Sequence, residues 1–524
     1  MTQPRNSILN PSRRAVLAGT AAALASATAA CAQTGADPTV ITSNGPVTGL
    51  RRDGINSFLG IRYGADTRPG RFRAPRAPEA WQEPVAARAY GAASPQANSE
   101  PDQSEDCLFL NVWTPGVGDG GNRPVMVYFH GGAYSAGSGS SPLYDGANLC
   151  RRGDVVVVTV NHRLNAFGYL YLRTLFGEDF AVSGNAGQLD LMLALAWVRD
   201  NAAAFGGDPS RVMVFGQSGG GAKIATLMAT PTAAGLFHRA ATMSGQQVTA
   251  SGPLNATARA RAYLDALGPH GTNSAALLDA PTEALVEALG TRDPVLPFGS
   301  VYFGPVMDDR VLHRHPFYPD AAPQSLHIPM IIGNTHDETR AFLRGPQYEN
   351  LGWDDLPALL APNLRIDISP ERVIETYRGL YPDASPETVF YAATTAGRSW
   401  RGAVIEAEER AKAGAPAYVY QLDWGNPYAP HTFDIPMVFD NTGAEGSMTG
   451  NSQQASQMGA IMSGAFIALA RTGSPQHAAL PEWTPYSMEN RETMIMDLPP
   501  RLENDPRGAE RELFATVPYI QPGT

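Results

Sequence analysis

The stretch Arg211-Val-Met-Val-Phe-Gly-Gln-Ser-Gly-Gly-Gly-Ala222 constrains this chain more than any other. In it an apolar β-branched run ends abruptly in Gly216-Gln217-Ser218-Gly219-Gly220. The pattern predicts a strand that turns directly into a helix, with a serine at the corner. Glycines two before and two after that serine suit a turn so sharp that the chain passes close to itself, where a Cβ would collide. Such a corner holds the Ser218 hydroxyl out at the end of a sheet, within reach of a base. A chain with 53 glycines produces Gly-x-Ser-x-Gly by chance, so the context decides. A strand pattern precedes the motif, and the small-residue helix start Gly221-Ala222-Lys223-Ile224-Ala225 follows it.

The 524 residues, 43% of them apolar, can bury a large core, and length alone would suggest two to four domains. Pattern argues instead for one large α/β unit. Alanine-rich helical stretches alternate with β-branched runs such as Val155-Val-Val-Val-Thr-Val160 and Ile328-Pro-Met-Ile-Ile-Gly333. That alternation is the signature of a mainly parallel central sheet flanked by helices. A net charge of -11 sets any nucleic-acid or anionic-membrane partner against repulsion. The expected partner is a small molecule that is uncharged or weakly charged. Three cysteines make no disulfide scaffold, and neither zinc-type spacing nor a His-Glu-x-x-His pair occurs among the ten scattered histidines. No metal and no cofactor is expected.

Residues 1–32 read as a targeting segment of twin-arginine type. Ser12-Arg13-Arg14-Ala15-Val16-Leu17 opens an alanine-rich apolar run that reaches Ala30 and ends in small residues suited to cleavage. This implies a periplasmic or secreted protein. The run is too short and too weakly apolar for a comfortable membrane span. Lipid attachment at Cys31 is the competing reading, disfavoured because Thr28-Ala29-Ala30 stands where a lipobox would place an aliphatic residue. Downstream, no other segment is a candidate for the membrane.

A serine nucleophile needs a base, an acid to orient that base, and donors for the oxyanion. Val125-Met-Val-Tyr-Phe-His130-Gly-Gly-Ala-Tyr134 offers donors, as a buried strand that ends in a glycine-rich turn. At this point the chain resembles the type-B carboxylesterases of the α/β-hydrolase fold, the family that also holds cholinesterases and para-nitrobenzyl esterases. The resemblance runs through Phe58-Leu-Gly-Ile-Arg-Tyr63, Ser104-Glu-Asp-Cys-Leu-Phe-Leu-Asn-Val-Trp113, the His130 turn and Gly184-Asn-Ala-Gly-Gln-Leu-Asp190. It continues through Ala196-Trp-Val-Arg-Asp-Asn201, Phe205-Gly-Gly-Asp-Pro-Ser-Arg-Val212, the elbow and Gly235-Leu-Phe-His-Arg-Ala240. It implies a single α/β-hydrolase domain over residues 38–524, with helical excursions, including 251–292 and 351–401, that cap the active-site gorge.

The resemblance further implies that Ser218 is the nucleophile and that the backbone N–H groups of Gly132, Ala133 and Gly219 form the oxyanion hole. The family's acid lies in an Asn-x-Asp-Glu segment just after a strand, and Asn334-Thr-His-Asp-Glu338 follows such a run here. Glu338 is therefore the expected acid and Asp337 the fallback. In the order serine, acid, histidine that this fold uses, only His431 and His477 remain. His431 lies in Ala429-Pro-His-Thr-Phe-Asp434, similar to the family's histidine loop, whereas His477 reads as a solvated residue in a polar turn. Ser244 matches a family position that hydrogen-bonds the acid. Gln217 stands where glutamate is common, which removes a negative charge beside the site. His130 and His162 read as structural, and His336 as a loop residue facing water.

These roles imply hydrolysis in two steps through an acyl-enzyme, with His431 moving the proton. Choline esters are not expected. Ser94 replaces the first cysteine of the family's first disulfide, leaving Cys107 without that partner, and 95–106 holds no aromatic residue to cradle a quaternary ammonium. Whether Cys107 and Cys150 are free is open at this stage. Alignment of Gly304-Pro-Val-Met-Asp-Asp309 on the family puts Gly299 and Val301 at acyl-pocket positions, which predicts room for a bulky acyl group. The expected substrates are uncharged aromatic or medium-chain esters. A non-catalytic cholinesterase-like binding protein, or an amidase or lipase with the same triad, are the alternatives. Oligomeric state and natural substrate are not legible.

Overall fold

In the computed structural model the described residues are 37–524, except Ser99, Pro297, Phe298, Asn426, Pro522 and Thr524. The segment read as an export signal, Cys31 included, lies outside them. The β-branched runs form the strands that their composition predicts. Val156–Val160 is buried throughout, and the run begun at Ile328 is extended from Met330 to Thr335. Strands buried on both faces need no polar alternation, which is why these runs are continuously apolar.

Seven strands lie parallel in one sheet. Arg123–Phe129 sits between Val156–Val160 and Gly207–Gln217. Beyond Gly207–Gln217 come Arg239–Met243, Met330–Thr335, Ala417–Leu422 and Glu492–Met496 in turn. Antiparallel strands close both edges and bring the sheet to 11. A separate three-stranded sheet holds Thr39–Ile41, Pro46–Thr48 and Val85–Ala86.

Period-two alternation sends Val125, Val127 and Phe129 to one core and Met126 and Tyr128 to the other. The helices Ala186–Asn201, Gly219–Met228 and Arg401–Lys412 cover the first face. The 20-residue helix Gln453–Thr472 covers the second. This is the helix-covered, mainly parallel sheet that the sequence predicts.

Several prolines in the two helical excursions mark helix starts. Pro253, Pro370 and Pro386 each open a helix, where a missing N–H costs no hydrogen bond, and Ser369 and Ser385 cap two of them. Between Pro386–Thr395 and Arg401–Lys412 the chain winds through a π-helical turn, Ala396–Trp400. Among the described residues no helix is long and apolar enough to cross a membrane.

One family landmark is half of a buried ion pair. Arg163 and Asp190 are both buried and joined bidentately at 2.6 and 2.9 Å, and Asp190 also accepts the Arg163 backbone N–H at 3.0 Å. Breaking a buried pair strands the surviving charge. Asp190→Ala should therefore lower stability by about 3–5 kcal/mol, read as a reduced denaturant midpoint. An unchanged midpoint would contradict this role.

Candidate active site

Gly207–Gln217 delivers its last residue to the carboxyl end of the sheet, and Gly219–Met228 begins two residues later. Ser218 takes up the whole change of direction, at φ 54° and ψ -125°. Such a left-handed serine is strained and persists only where its surroundings impose it. A Cβ on Gly216 would come within 2.6 Å of the Gly220 backbone, and one on Gly220 would run into the Phe129 carbonyl. The two glycines are therefore required by close approach.

The glycine-rich turn after Arg123–Phe129 packs on this elbow. A Cβ on Gly131 would lie 3.3 Å from Ser218 Cβ, and one on Gly219 would strike Ala133. Gly132 and Ala133 both have positive φ, 83° and 52°. Among the described residues no acceptor takes the N–H groups of Gly132, Ala133 or Gly219. Gly219 opens a helix, whose dipole favours negative charge beside Ser218.

Met330–Thr335 ends in a short turn that carries Glu338, which is fully buried. Its Oε1 accepts the Thr335 N–H at 3.0 Å and lies 3.5 Å from Asn334 Nδ2, and its Oε2 meets His431 Nδ1 in a short contact. Burial disfavours the carboxylate, but the His431 ring and these hydrogen bonds prevail and hold its pKa below the usual glutamate value. The buried Ser244 hydroxyl, on a residue at φ 51°, is close enough to add to that effect without completing a hydrogen bond.

Asp337 points elsewhere. It accepts the Ala429 N–H at 3.2 Å and so ties down the loop that presents His431. Three residues beyond the histidine, Asp434 is fixed by the Tyr420 hydroxyl at 2.7 Å.

Ser218, Glu338 and His431 line one cleft with Ala133, Gly219 and Ser244. The serine hydroxyl and the imidazole share it without a formed hydrogen bond. Resting sites of this kind commonly tighten only around substrate. Gln217 Nε2 stands 3.2 Å from His431 Nε2 and 3.4 Å from Nδ1, so a neutral amide borders the ring.

His477 is half-buried rather than solvated, because its ring bonds the Ile461 carbonyl at 3.0 Å. His336 is exposed, as expected, and also pairs with Asp337 at 3.3 Å. Val301 and Phe303 are buried in a side cluster, whereas Tyr302 lines the cleft and Gly299 is exposed. Tyr302 rather than Val301 therefore borders the serine's cleft. His130 and His162 stack at 4.9 Å, and burial lowers the pKa of both, as structural residues require. Cys107 and Cys150 are free thiols, both buried.

Sequence reasoning missed Lys223. It lies on the elbow helix, fully buried, and its Nζ donates to the His130 carbonyl at 3.1 Å, at the start of the glycine-rich turn. A lone cation in a run of small apolar residues was the available signal. Burial brings its pKa down to about 7. Unfolded lysine titrates at about 10.4, so between the two values the unfolded chain holds more protons and stability rises with pH. Thermal midpoints should climb between pH 7 and 9 in the native protein, and that climb should disappear in Lys223→Met. A climb of the same size in the variant would contradict the assignment.

A parallel sheet with a strained serine elbow at its carboxyl edge defines the α/β-hydrolase class of fold. The Carboxylesterase family model matches residues 36–514. The chain belongs to the carboxylesterase family, and it is a carboxylesterase. It is 36% identical over 494 residues to the para-nitrobenzyl esterase of Bacillus subtilis (strain 168), an alignment covering 90% of this chain and 97% of that one. Identity to the phenmedipham hydrolase of Pseudarthrobacter oxydans is 32%, over 88% of this chain and 95% of that one. Among solved structures, the Geobacillus stearothermophilus carboxylesterase Est55 superposes with a TM-score of 0.82 at 37% identity, covering 91% of this chain and 99% of that one.

Proposed function

We propose that the protein hydrolyses carboxylic esters through an acyl-enzyme on Ser218, with His431 as general base and acid and Glu338 as its orienting carboxylate. The observation that carries this reading is the buried Glu338–His431 pair, which opens into the same cleft as the strained serine.

The Ser218 oxygen attacks the ester carbonyl as its proton passes to His431 Nε2. Glu338 holds the other ring nitrogen protonated and stabilises the imidazolium. The carbonyl oxygen takes the negative charge and is received by the N–H groups of Gly132, Ala133 and Gly219. His431 then gives its proton to the departing alkoxide, which leaves as the alcohol. Water repeats the sequence on the acyl-serine ester and releases the acid with the enzyme regenerated.

The carboxylesterase relatives named for para-nitrobenzyl esters and phenmedipham support an ester substrate of small-molecule size. Hydrolysis of para-nitrophenyl esters of graded acyl length is the test. Turnover that disappears in Ser218→Ala supports the reading. Turnover equal to that of the folded Ser218→Ala variant on every ester would refute it.

A further inference from the structure

Two arginines enter the cleft with Ser218 and His431, and sequence reasoning anticipated neither. Arg398 is carried on the π-helical turn Ala396–Trp400, and Arg365, at φ 57°, follows the helix Leu356–Asn363. Local π-helical turns recur at functional sites because they re-aim a side chain. Arg398 sits over Phe342, its guanidinium carbon 4.1 Å from the ring centroid, and Phe342 in turn packs at 4.7 Å from the His431 ring. Stacking of this kind holds the guanidinium plane and leaves its N–H edge free.

Among the described residues neither arginine has a carboxylate within ion-pair distance or a hydrogen-bond partner. The carboxylate whose charge reaches Arg398 is Glu338, and both of its oxygens are already engaged by the loop and His431. Burial lowers the pKa of both arginines, and with the charge of Arg365 nearby Arg398 is brought down to about 10. Both still carry full charge at neutral pH. Two partly desolvated cations that repel each other in one cleft form an anion site with the counter-ion left to the ligand.

The surroundings agree. Tyr302 and Tyr519, the residues whose fields reach Arg365, line the same cleft and are neutral phenols at neutral pH. A neighbouring hollow shares Arg365 and Gln521 with the cleft and is otherwise walled mainly by Leu296, Ala361, Ile366 and Ile520. Asp367 also borders that hollow and is exposed, but it forms no ion pair with Arg365. The expectation of an uncharged substrate came from the net charge of -11, which is a property of the whole surface. A cleft focuses its own local charge.

We propose that the esters this enzyme takes carry a free carboxylate, and that Arg365 and Arg398 receive it while the scissile carbonyl lies at Ser218. This deepens the esterase reading and rests on it. The carboxylate can sit on the acyl part of the ester, as in a half-ester of a dicarboxylic acid, or on the alcohol part. The hydrolytic step is unchanged: water adds across the acyl–oxygen bond, and the remote carboxylate is neither made nor consumed.

The test compares matched esters. Monomethyl glutarate and monomethyl adipate are set against methyl pentanoate and methyl hexanoate, and 4-acetoxybutyrate against butyl acetate. The reading is the ratio of kcat/KM, anionic over neutral, which a folding defect leaves alone because it lowers both rates alike. The native enzyme should give a ratio above one in at least one arm, and that arm assigns the carboxylate to the acyl or the alcohol side. Arg398→Gln and Arg365→Gln should each cut the ratio roughly tenfold or more, as loss of a charged hydrogen-bond partner does, and Arg398→Lys should restore part of it. A ratio at or below one in both arms, or one that the glutamine variants leave unmoved, overturns the proposal while neutral-ester turnover leaves the esterase reading standing. Absence of turnover above Ser218→Ala on every ester overturns both.

Discussion

Ser218→Ala should lower turnover of para-nitrophenyl esters by roughly 10⁵–10⁶-fold, the scale seen when a serine nucleophile is removed from a triad elsewhere. The residual rate then comes from oxyanion donors and binding alone. The substitution is unusually clean here. Alanine keeps the Cβ that φ 54° must already accommodate, so the elbow's strain is unchanged and the thermal midpoint should hold. His431→Ala should cost about as much, and the double variant should be no slower than either single one to within a few-fold, because residues that act as a unit are not additive. Losses that multiply in the double variant would mean that the two residues work independently. Steady-state rates of the three variants decide it.

Glu338→Gln should leave the fold intact and reduce kcat by about 10⁴-fold. The amide matches the carboxylate in shape and can still accept the Thr335 N–H. Towards His431, however, it offers either a donor or an oxygen without charge, so the ring loses both its enforced tautomer and its partner in the imidazolium state. A second signature separates this from general damage. The Glu338 pKa is lowered in the folded protein, so its stabilising contribution is complete above the ordinary glutamate value of about 4.3 and drains away as pH falls through the folded value. The acid limb of the stability profile should therefore be shallower in Glu338→Gln than in the native protein. A small loss of kcat with an unaltered acid limb would instead point to a structural acid.

The parts of this molecule that were legible in the sequence are those where one residue type answers one local demand. Gly216 and Gly220 are glycine because backbone lies where a Cβ would be, and that requirement shows through without any structure. The buried strands were readable for a similar reason, as β-branched runs with both faces covered. Glu338 and His431 are 93 residues apart and became a pair only through the resemblance to known esterases, since no local pattern joins them.

What was missed depends on long-range packing. Lys223 looks like a helix-surface cation until His130 is seen behind it. Arg365 and Arg398 sit in excursions whose sequence announces helices and proline starts but not which side chain faces the cleft. The π-helical turn that aims Arg398 shifts the helical phase by an amount that periodicity arguments do not register. The acyl-pocket assignment depended on a family alignment at single-residue precision, and Tyr302 rather than Val301 lines the serine's cleft.

The most direct test of the central claim is covalent. The purified protein is treated with a fluorophosphonate, which traps activated serine hydroxyls, and the intact mass and the labelled peptide are read by mass spectrometry. One adduct per chain is expected, carried by the peptide that contains Ser218, formed slowly in Glu338→Gln and absent in Ser218→Ala. Labelling at another residue, or none in a folded protein that hydrolyses esters, would contradict it.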